Sequence, residues 1–257
     1  MTVSRFDRGL ALSVVRRILA GLFALSWFVF PGFGLIDLSV TWDPEWPQML
    51  EAGWGLYMTL LVGIPFTAVA VRPCAAAVAA VQLYIAAGAL IVSAIPALEW
   101  QLLVLGAVIV VETVIVTGLP SLPDFEPPRR GSWHPLWIPA VIGTIPWLVY
   151  AMAMWDLNRQ DRIDGDITIG IDHYSVQGAF ALVSIVLVTF AALWPTGRVL
   201  MGMCVGLSAL YLGLVSWVWH PTLASFNQTW SGLCFLWGGA VSALCAFPNS
   251  RRAPSQS

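Results

Sequence analysis

The chain has 257 residues, of which 58% are hydrophobic and only 10% are charged, and its formal net charge is −2. The mean hydropathy of +0.80 is too high for a soluble domain of this length, because so much apolar surface cannot all be buried. The composition therefore predicts a multi-pass membrane protein whose first partner is the lipid bilayer. It argues against a soluble enzyme and against binding to nucleic acid.

Hydrophobic runs predict the membrane-crossing elements in chain order. A span needs about 20 mostly apolar residues, and open sheet edges cannot face lipid, so the runs are predicted to be helices. Eight segments qualify: 18–38, 54–71, 74–95, 100–119, 136–154, 176–194, 199–219 and 230–247. Four prolines inside these runs should kink the helices without ending them: Pro31, Pro65, Pro139 and Pro146. The predicted fold is an all-α polytopic membrane bundle of eight transmembrane helices.

The arginines predict an orientation. The chain has no lysine, and ten of its twelve arginines fall on one side of an eight-helix threading. Because positively charged residues concentrate in cytoplasmic loops, both termini are predicted to lie in the cytoplasm, with the protein in the cell (plasma) membrane. The chain then divides into a cytoplasmic segment 1–17, a single transmembrane domain 18–247 that contains a cytoplasmic loop 120–135, and a cytoplasmic tail 248–257. The acidic segment 155–175 would be external.

The two halves of the transmembrane domain thread alike. In each half an acidic segment follows the first helix, and a tight turn with one arginine, VRPC or PTGR, joins the second helix to the third. This pattern predicts a parallel repeat of four plus four helices, with residues 18–119 as the first unit and 136–247 as the second.

Small residues recur four apart on the third helix of each unit. The pairs are Ala76 with Ala80 and Gly202 with Gly206. Since this spacing lets helix backbones approach closely, the two helices are predicted to lie at the bundle centre, with Gly206 at a close helix contact. The motif is common in membrane helices, so a packing role is enough to explain it.

Glu112 is the only ionisable side chain well inside a predicted span. A carboxyl group there is costly, so it should be paired, protonated or exposed to a wet cavity. Counting about 1.5 Å per residue along each helix places four more polar side chains at a similar depth: Gln82, Thr144, Thr189 and Ser208. With Glu112 they form the candidate buried polar site. The structural alternative is that Glu112 is neutral and bonded to one neighbour, or reaches toward the lipid headgroups.

A second candidate site is a polar cluster at the predicted outer face: Glu51, Glu99, Asp172, His173 and His220. Two histidines and several carboxylates near one surface have the chemistry to hold a divalent metal. Yet no two of them share a helix at ligand spacing, and helix caps with interfacial hydrogen bonds explain them as well. The cluster is therefore expected to hold no metal.

Motifs for catalysis or for a cofactor are missing from the sequence. There is no lysine for a Schiff base, and neither HExxH nor GxSxG occurs. The four cysteines have scattered spacings that favour packing roles. We therefore assign no catalytic residue, no metal and no cofactor, and the sequence favours a protein that is not an enzyme.

Three stretches carry a resemblance to a group of proteins: LFALSWFVFPGFGLIDLSVTW, LEAGWGLYMTLLVGIPFTAVAVRP and ITIGIDHYSVQGAFAL. Together with the lysine-free, alanine- and valine-rich composition, they resemble uncharacterised multi-pass membrane proteins of actinobacteria. The resemblance implies a plasma-membrane location and no particular activity.

Two hypotheses for function remain, and the sequence favours the first. The first is a permease-like protein that binds or moves a small solute or ion near Glu112. The second is a non-catalytic membrane subunit or scaffold that binds partner proteins, including further copies of itself, through small-residue helix faces and outer loops. The orientation of Glu112 and Gln82 distinguishes them, because a transport site requires both side chains to face a shared cavity rather than lipid.

Overall fold

The computed structural model describes residues 5–118, 134–160 and 167–246, with side chains from residue 13 onward. The described residues form nine helices and one short hairpin. The helices are α1 (Arg5–Phe28), α2 (Gly34–Val40), α3 (Gln48–Val71), α4 (Ala76–Ala97), α5 (Gln101–Thr117), α6 (Trp137–Arg159), α7 (His173–Leu193), α8 (Arg198–Val218) and α9 (Gln228–Ala246). The hairpin pairs β1 (Ile167–Thr168) with β2 (Ile171–Asp172) in antiparallel register. The predicted tail 248–257 and most of the loop 120–135 lie outside the described residues.

Six helices of the described chain are long and apolar enough to cross a membrane: α3, α4, α6, α7, α8 and α9. Helix α5 is apolar but has only 17 residues. Seven of the eight predicted spans each correspond to one of the helices α3 to α9. The prediction of an all-α, multi-pass membrane protein is therefore confirmed.

The prediction of an uninterrupted first span at 18–38 is wrong. Helix α1 ends at Phe28, and α2 begins only at Gly34. Pro31 has no backbone N–H to donate, and Phe33 has a φ of 55°, which is a left-handed conformation outside any right-handed helix. The buried Trp54 indole donates from Nε1 to the Gly32 carbonyl oxygen at 2.8 Å. The interruption is tolerated because a neighbouring helix satisfies its backbone.

Helix α3 contains a π-helical stretch, Tyr57–Gly63, immediately before Pro65. A proline cannot donate to the carbonyl groups four or five residues before it, which are those of Leu61 and Leu60. Gln82 of α4 lies opposite these two groups, with Nε2 3.4 Å from each carbonyl oxygen. The amide of Gln82 therefore takes the place of the missing proline N–H, and α3 stays continuous through residue 65.

Four helices form the centre of the described bundle, and the rest surround them. Two-thirds of the apolar window of α3 and of α7 is buried (67% each), with 61% for α4 and for α8. In α6 and α9 the buried shares are only 33% and 28%. Helix α1 packs on α3, α5 on α4, α6 on α7, and α9 on α8. The outer helices therefore expose apolar side chains such as Val141 and Ile145, as a bilayer-facing surface requires.

Successive long helices reverse direction, so their ends gather at two opposite ends of the bundle. At the first, Asn158 at the end of α6 donates from Nδ2 to the Ala97 carbonyl oxygen at the end of α4, at 3.0 Å. We call this the acidic end, because Glu51 and Glu99 lie there. At the opposite, basic end, Arg17 of α1 donates from Nε to the Ala70 carbonyl oxygen near the end of α3, at 2.8 Å.

Candidate functional site

Glu112 contacts α1 rather than the centre of the bundle. Its Oε2 accepts a hydrogen bond from Trp27 Nε1 at 2.6 Å, and the indole itself is buried. The carboxyl group is half-buried, and it lies at the rim of an open apolar groove on the outward face of α5. The groove is lined by Leu103, Val104, Ala107, Val108, Val111 and Glu112. We call it the α5 groove.

Gln82 lies elsewhere, in the bundle centre. It is fully buried, and its amide nitrogen is directed at the α3 carbonyls described above. The buried Cys204 thiol of α8 lies beside the same amide. Gln82 therefore joins α4 to α3 and α8, and in the described structure it has no hydrogen bond to Glu112.

The three hydroxyl residues of the predicted polar layer bond to their own helices. Thr144, Thr189 and Ser208 each donate to the carbonyl oxygen four residues earlier, at 2.7, 2.8 and 2.7 Å. This satisfies the hydroxyl group without any partner on another helix. No hydrogen bond among the described residues joins any two of the five predicted site residues. Similar depth along the helices does not bring Glu112 and Gln82 together, because Glu112 is directed at α1 and Gln82 at α3.

The predicted outer-face cluster is brought together in large part. Glu51 and His173 are the most buried of its members, at 1% and 0% exposure, and His173 Nδ1 lies 3.5 Å from Glu51 Oε1. The His173 ring stacks on Trp54, with ring centroids 4.7 Å apart, and its Nε2 lies 2.9 Å from Thr168 Oγ1 in β1. One imidazole thus connects α3, α7 and the hairpin at the acidic end.

Asp172 and Glu99 flank this pair. Asp172 caps α7, because its Oδ1 accepts from the Tyr174 backbone N–H at 2.8 Å. Burial raises the pKa of the Glu99 carboxyl above its ordinary value; a hydrogen bond with Asn158 lowers it, and the negative charge of Asp172 raises it. Two carboxylates and an amide thus interact where α4, α6 and α7 meet.

His220 stands apart from the other four residues. It is exposed at the end of α8, and no hydrogen bond or ion pair among the described residues joins it to Glu51, Glu99 or His173. Within the described ranges, no group of three or more His, Cys, Asp or Glu residues is placed to hold a metal ion. The buried groups at the acidic end are able to form hydrogen bonds and to exchange protons.

Residues that the sequence analysis did not select complete this region. Gln177, one turn after His173 on α7, donates from Nε2 to the Tyr150 hydroxyl at 2.8 Å, and that hydroxyl donates to the Ala224 carbonyl oxygen at 3.0 Å. A Cβ atom at Gly53 would lie only 1.3 Å from Gln177 Oε1, so only glycine fits there. The available signal was the spacing of four between His173 and Gln177, which places both on one face of a helix.

The small-residue positions lie differently in the two units. A Cβ atom on Gly206 would lie 2.8 Å from the Ser242 backbone nitrogen, and one on Gly202 would lie 1.9 Å from Cys245 Sγ. The glycine face of α8 therefore packs on α9. Ala76 is half-buried and Ala80 is buried at the start of α4. Helices α4 and α8 touch each other only slightly.

The long apolar helices of the described chain and the apolar side chains exposed on its outer helices define the class of this protein. It is a multi-pass helical membrane protein. No protein-family model, curated protein or solved structure matches the chain. The resemblance to actinobacterial membrane proteins therefore stays an expectation, and function is argued from the geometry alone.

Proposed function

We propose that this protein is a non-catalytic structural subunit of the cell membrane that assembles with a second copy of itself through the α5 groove. The observation that supports this most is the position of Glu112. Its carboxyl group lies half-buried at the rim of an outward-facing apolar groove, and it accepts a hydrogen bond from Trp27. A carboxyl group left against acyl chains is costly in either protonation state, so an occupant that bonds to it is favoured.

The chemistry of the carboxyl group favours a second copy as the occupant. A protonated carboxylic acid is both a donor and an acceptor, so two Glu112 side chains related by a two-fold axis complement each other. Ala107 is the one small side chain in the groove, between exposed Val104 and Val111. A small residue flanked by larger ones allows close approach of a second helix, and polar groups strengthen such contacts in membranes.

The glycine faces are unavailable for this role. Gly202 and Gly206 already pack against α9 within the bundle. In the scaffold hypothesis, we therefore assign partner binding to the outward face of α5. The permease-like alternative, with a solute or ion moving near Glu112, receives less support. It requires Glu112 and Gln82 on one cavity, but these side chains bond to Trp27 and to the carbonyls of α3 respectively.

An eight-span arrangement with both termini in the cytoplasm is part of this proposal, with α1 as the first span and α5 as the fourth. The charge distribution supports it, because Arg17 and Arg72 lie at the basic end and Glu51 and Glu99 at the acidic end. The packing order supports a four-plus-four repeat. In each unit the first helix packs on the second and the third on the fourth, as α1 with α3 and α6 with α7 illustrate.

Energy transfer between labelled copies in lipid nanodiscs or vesicles tests the proposal. Cys74 is the exposed member among the four cysteines, and it accepts one donor or acceptor dye. We expect transfer above that of randomly distributed proteins. Ala107→Trp should abolish it by filling the groove, whereas Ala153→Trp, at an exposed alanine on α6, should not.

The Glu112 variants test the carboxyl contact itself. Glu112→Leu should weaken association about three- to thirtyfold, which corresponds to one interhelical polar contact in a membrane. Glu112→Gln should retain it, because an amide is also self-complementary. Transfer that Ala107→Trp leaves unchanged, or that never exceeds the random level, would remove the α5 groove as the contact surface.

A further inference from the structure

The basic end contains a group of three arginines that have no acidic partner among the described residues. Arg16, Arg17 and Arg72 are all exposed, and no carboxylate in the described part of the chain forms an ion pair with them. Arg17 donates a hydrogen bond from Nε to the Ala70 carbonyl oxygen at 2.8 Å. Ala70 is two residues before Arg72 in the chain, so this bond holds the Arg17 guanidinium group near Arg72. We call this surface, where α1 meets the end of α3, the arginine corner.

The geometry leaves the donors of the arginine corner directed outward. Nε of Arg17 is engaged by Ala70, but Nη1 and Nη2 have no partner among the described residues. Two such nitrogens form the planar fork that matches phosphate oxygens. Helix α4 begins at Ala76, just beyond Arg72, and the positive end of its dipole lies on the same side of the turn. Each of these features attracts an anion.

The surroundings of the arginine corner indicate which anion. Ile18, Leu22 and Val71 are exposed next to it, at 58%, 55% and 63%. A soluble phosphate would leave these apolar side chains uncovered, whereas acyl chains would cover them. Basic residues at the edge of an apolar band match the level of lipid headgroups.

We propose that the arginine corner binds the headgroup phosphate of an anionic phospholipid, with Arg17 and Arg72 as its donors and with the acyl chains along Ile18 and Leu22. Arg16 adds positive charge beside them. The binding does not depend on association through the α5 groove, which lies along a different helix.

A lipid titration of the purified protein in neutral detergent tests this. Phosphatidylglycerol should raise the melting temperature Tm, whereas phosphatidylcholine and inorganic phosphate should not. The double variant Arg17→Gln/Arg72→Gln should need about thirtyfold more phosphatidylglycerol for the same rise in Tm, because each arginine near a membrane surface contributes about one factor of five. Native mass spectrometry should show the matching loss of bound lipid.

The matched control is Arg251→Gln/Arg252→Gln, which removes the same charge from the C-terminal segment and should leave the response unchanged. If the first double variant does not fold, Arg72→Gln alone decides, because it keeps the bond from Arg17 to Ala70. It should cost about fivefold. An equal response to phosphatidylcholine, an equal rise with inorganic phosphate alone, or an equal loss in the control would overturn the proposal.

Discussion

Two carboxyl groups of this protein lie in opposite surroundings. Glu51 is 1% exposed and lies against His173 at the acidic end, where α3 meets α7. Glu112 is half-buried at the periphery and accepts a hydrogen bond from Trp27 of α1. The first group is enclosed by the fold and connects helices of the two halves. The second is partly exposed. A partly exposed polar group within an apolar surface can bind a partner from outside the chain.

The largest effect is expected when the enclosed pair is broken. His173→Ala leaves the buried Glu51 carboxyl without its imidazole and removes the stack on Trp54. Removing one partner of a buried ionisable pair costs about 3–5 kcal/mol. The free energy of unfolding, measured by titrating a denaturing detergent into mixed micelles, should fall by that amount.

His220→Ala is the matched control, because His220 is exposed at the same end of the bundle. Its substitution should change the free energy of unfolding by less than about 0.5 kcal/mol. Equal effects of the two variants would mean that the pair of Glu51 and His173 does not hold the central helices together.

An intermediate loss of stability is expected when Gln82, a buried polar side chain of the bundle centre, is replaced. Gln82→Leu removes the donor that faces the carbonyls of Leu60 and Leu61, beside the position where Pro65 lacks a backbone N–H. The loss should be about 1–2 kcal/mol in the same assay. Gln228→Leu, at an exposed glutamine of α9, should be close to neutral. A neutral Gln82→Leu would show that α3 satisfies its π-helical stretch without α4.

A smaller, pH-dependent effect is expected at Glu99. Burial and the charge of Asp172 raise its pKa in the folded state, so the folded protein holds this proton more tightly than the unfolded chain does. Its contribution to stability is therefore present below the unfolded pKa and is lost as pH rises through the folded pKa. Glu99→Gln should flatten the fall in Tm as pH rises above about 4, the ordinary pKa of a glutamate. The exposed Glu45→Gln should leave the wild-type profile; identical profiles for all three proteins would contradict the assignment.

Much of the fold could be predicted because hydrophobic runs report directly on membrane-crossing helices. The failure at 18–38 has a local cause. A proline can kink a helix or end it, and the outcome depends on whether a neighbour satisfies the freed backbone. Where the chain leaves the helix after Phe28, the Trp54 indole bonds to the carbonyl oxygen of Gly32, 22 residues earlier in the chain. At Pro65 the helix continues, and the amide of Gln82 faces the carbonyl groups before the proline. Neither contact can be read from local sequence.

The candidate sites differ in how well residue position alone predicts them. Helix ends gather at the two ends of a bundle whatever the helix rotation, so Glu51, Asp172 and His173 meet as their positions suggest. Residues in the middle of helices must also point the same way. Glu112 and Gln82 share a depth but not a direction, and rotation about each helix axis is set by packing that one sequence does not reveal.

The smallest effect is expected at Glu112, within a single copy of the chain. Glu112→Gln keeps an acceptor for Trp27 Nε1 and should change the free energy of unfolding by less than about 0.5 kcal/mol. Glu112→Leu leaves that buried N–H without its acceptor, which costs about 1 kcal/mol or more, but it also removes a carboxyl group from an apolar surface, which offsets the cost. The net change should stay within about 1 kcal/mol, measured at a protein-to-micelle ratio low enough to keep copies apart.

Trp27→Phe should cost more than either Glu112 variant, because it leaves the carboxyl group with no donor on α1. A loss at Glu112→Leu as large as that of His173→Ala would erase the distinction between the enclosed and the open carboxyl group, and the Glu112 side chain would then be a structural element of the bundle rather than a contact surface.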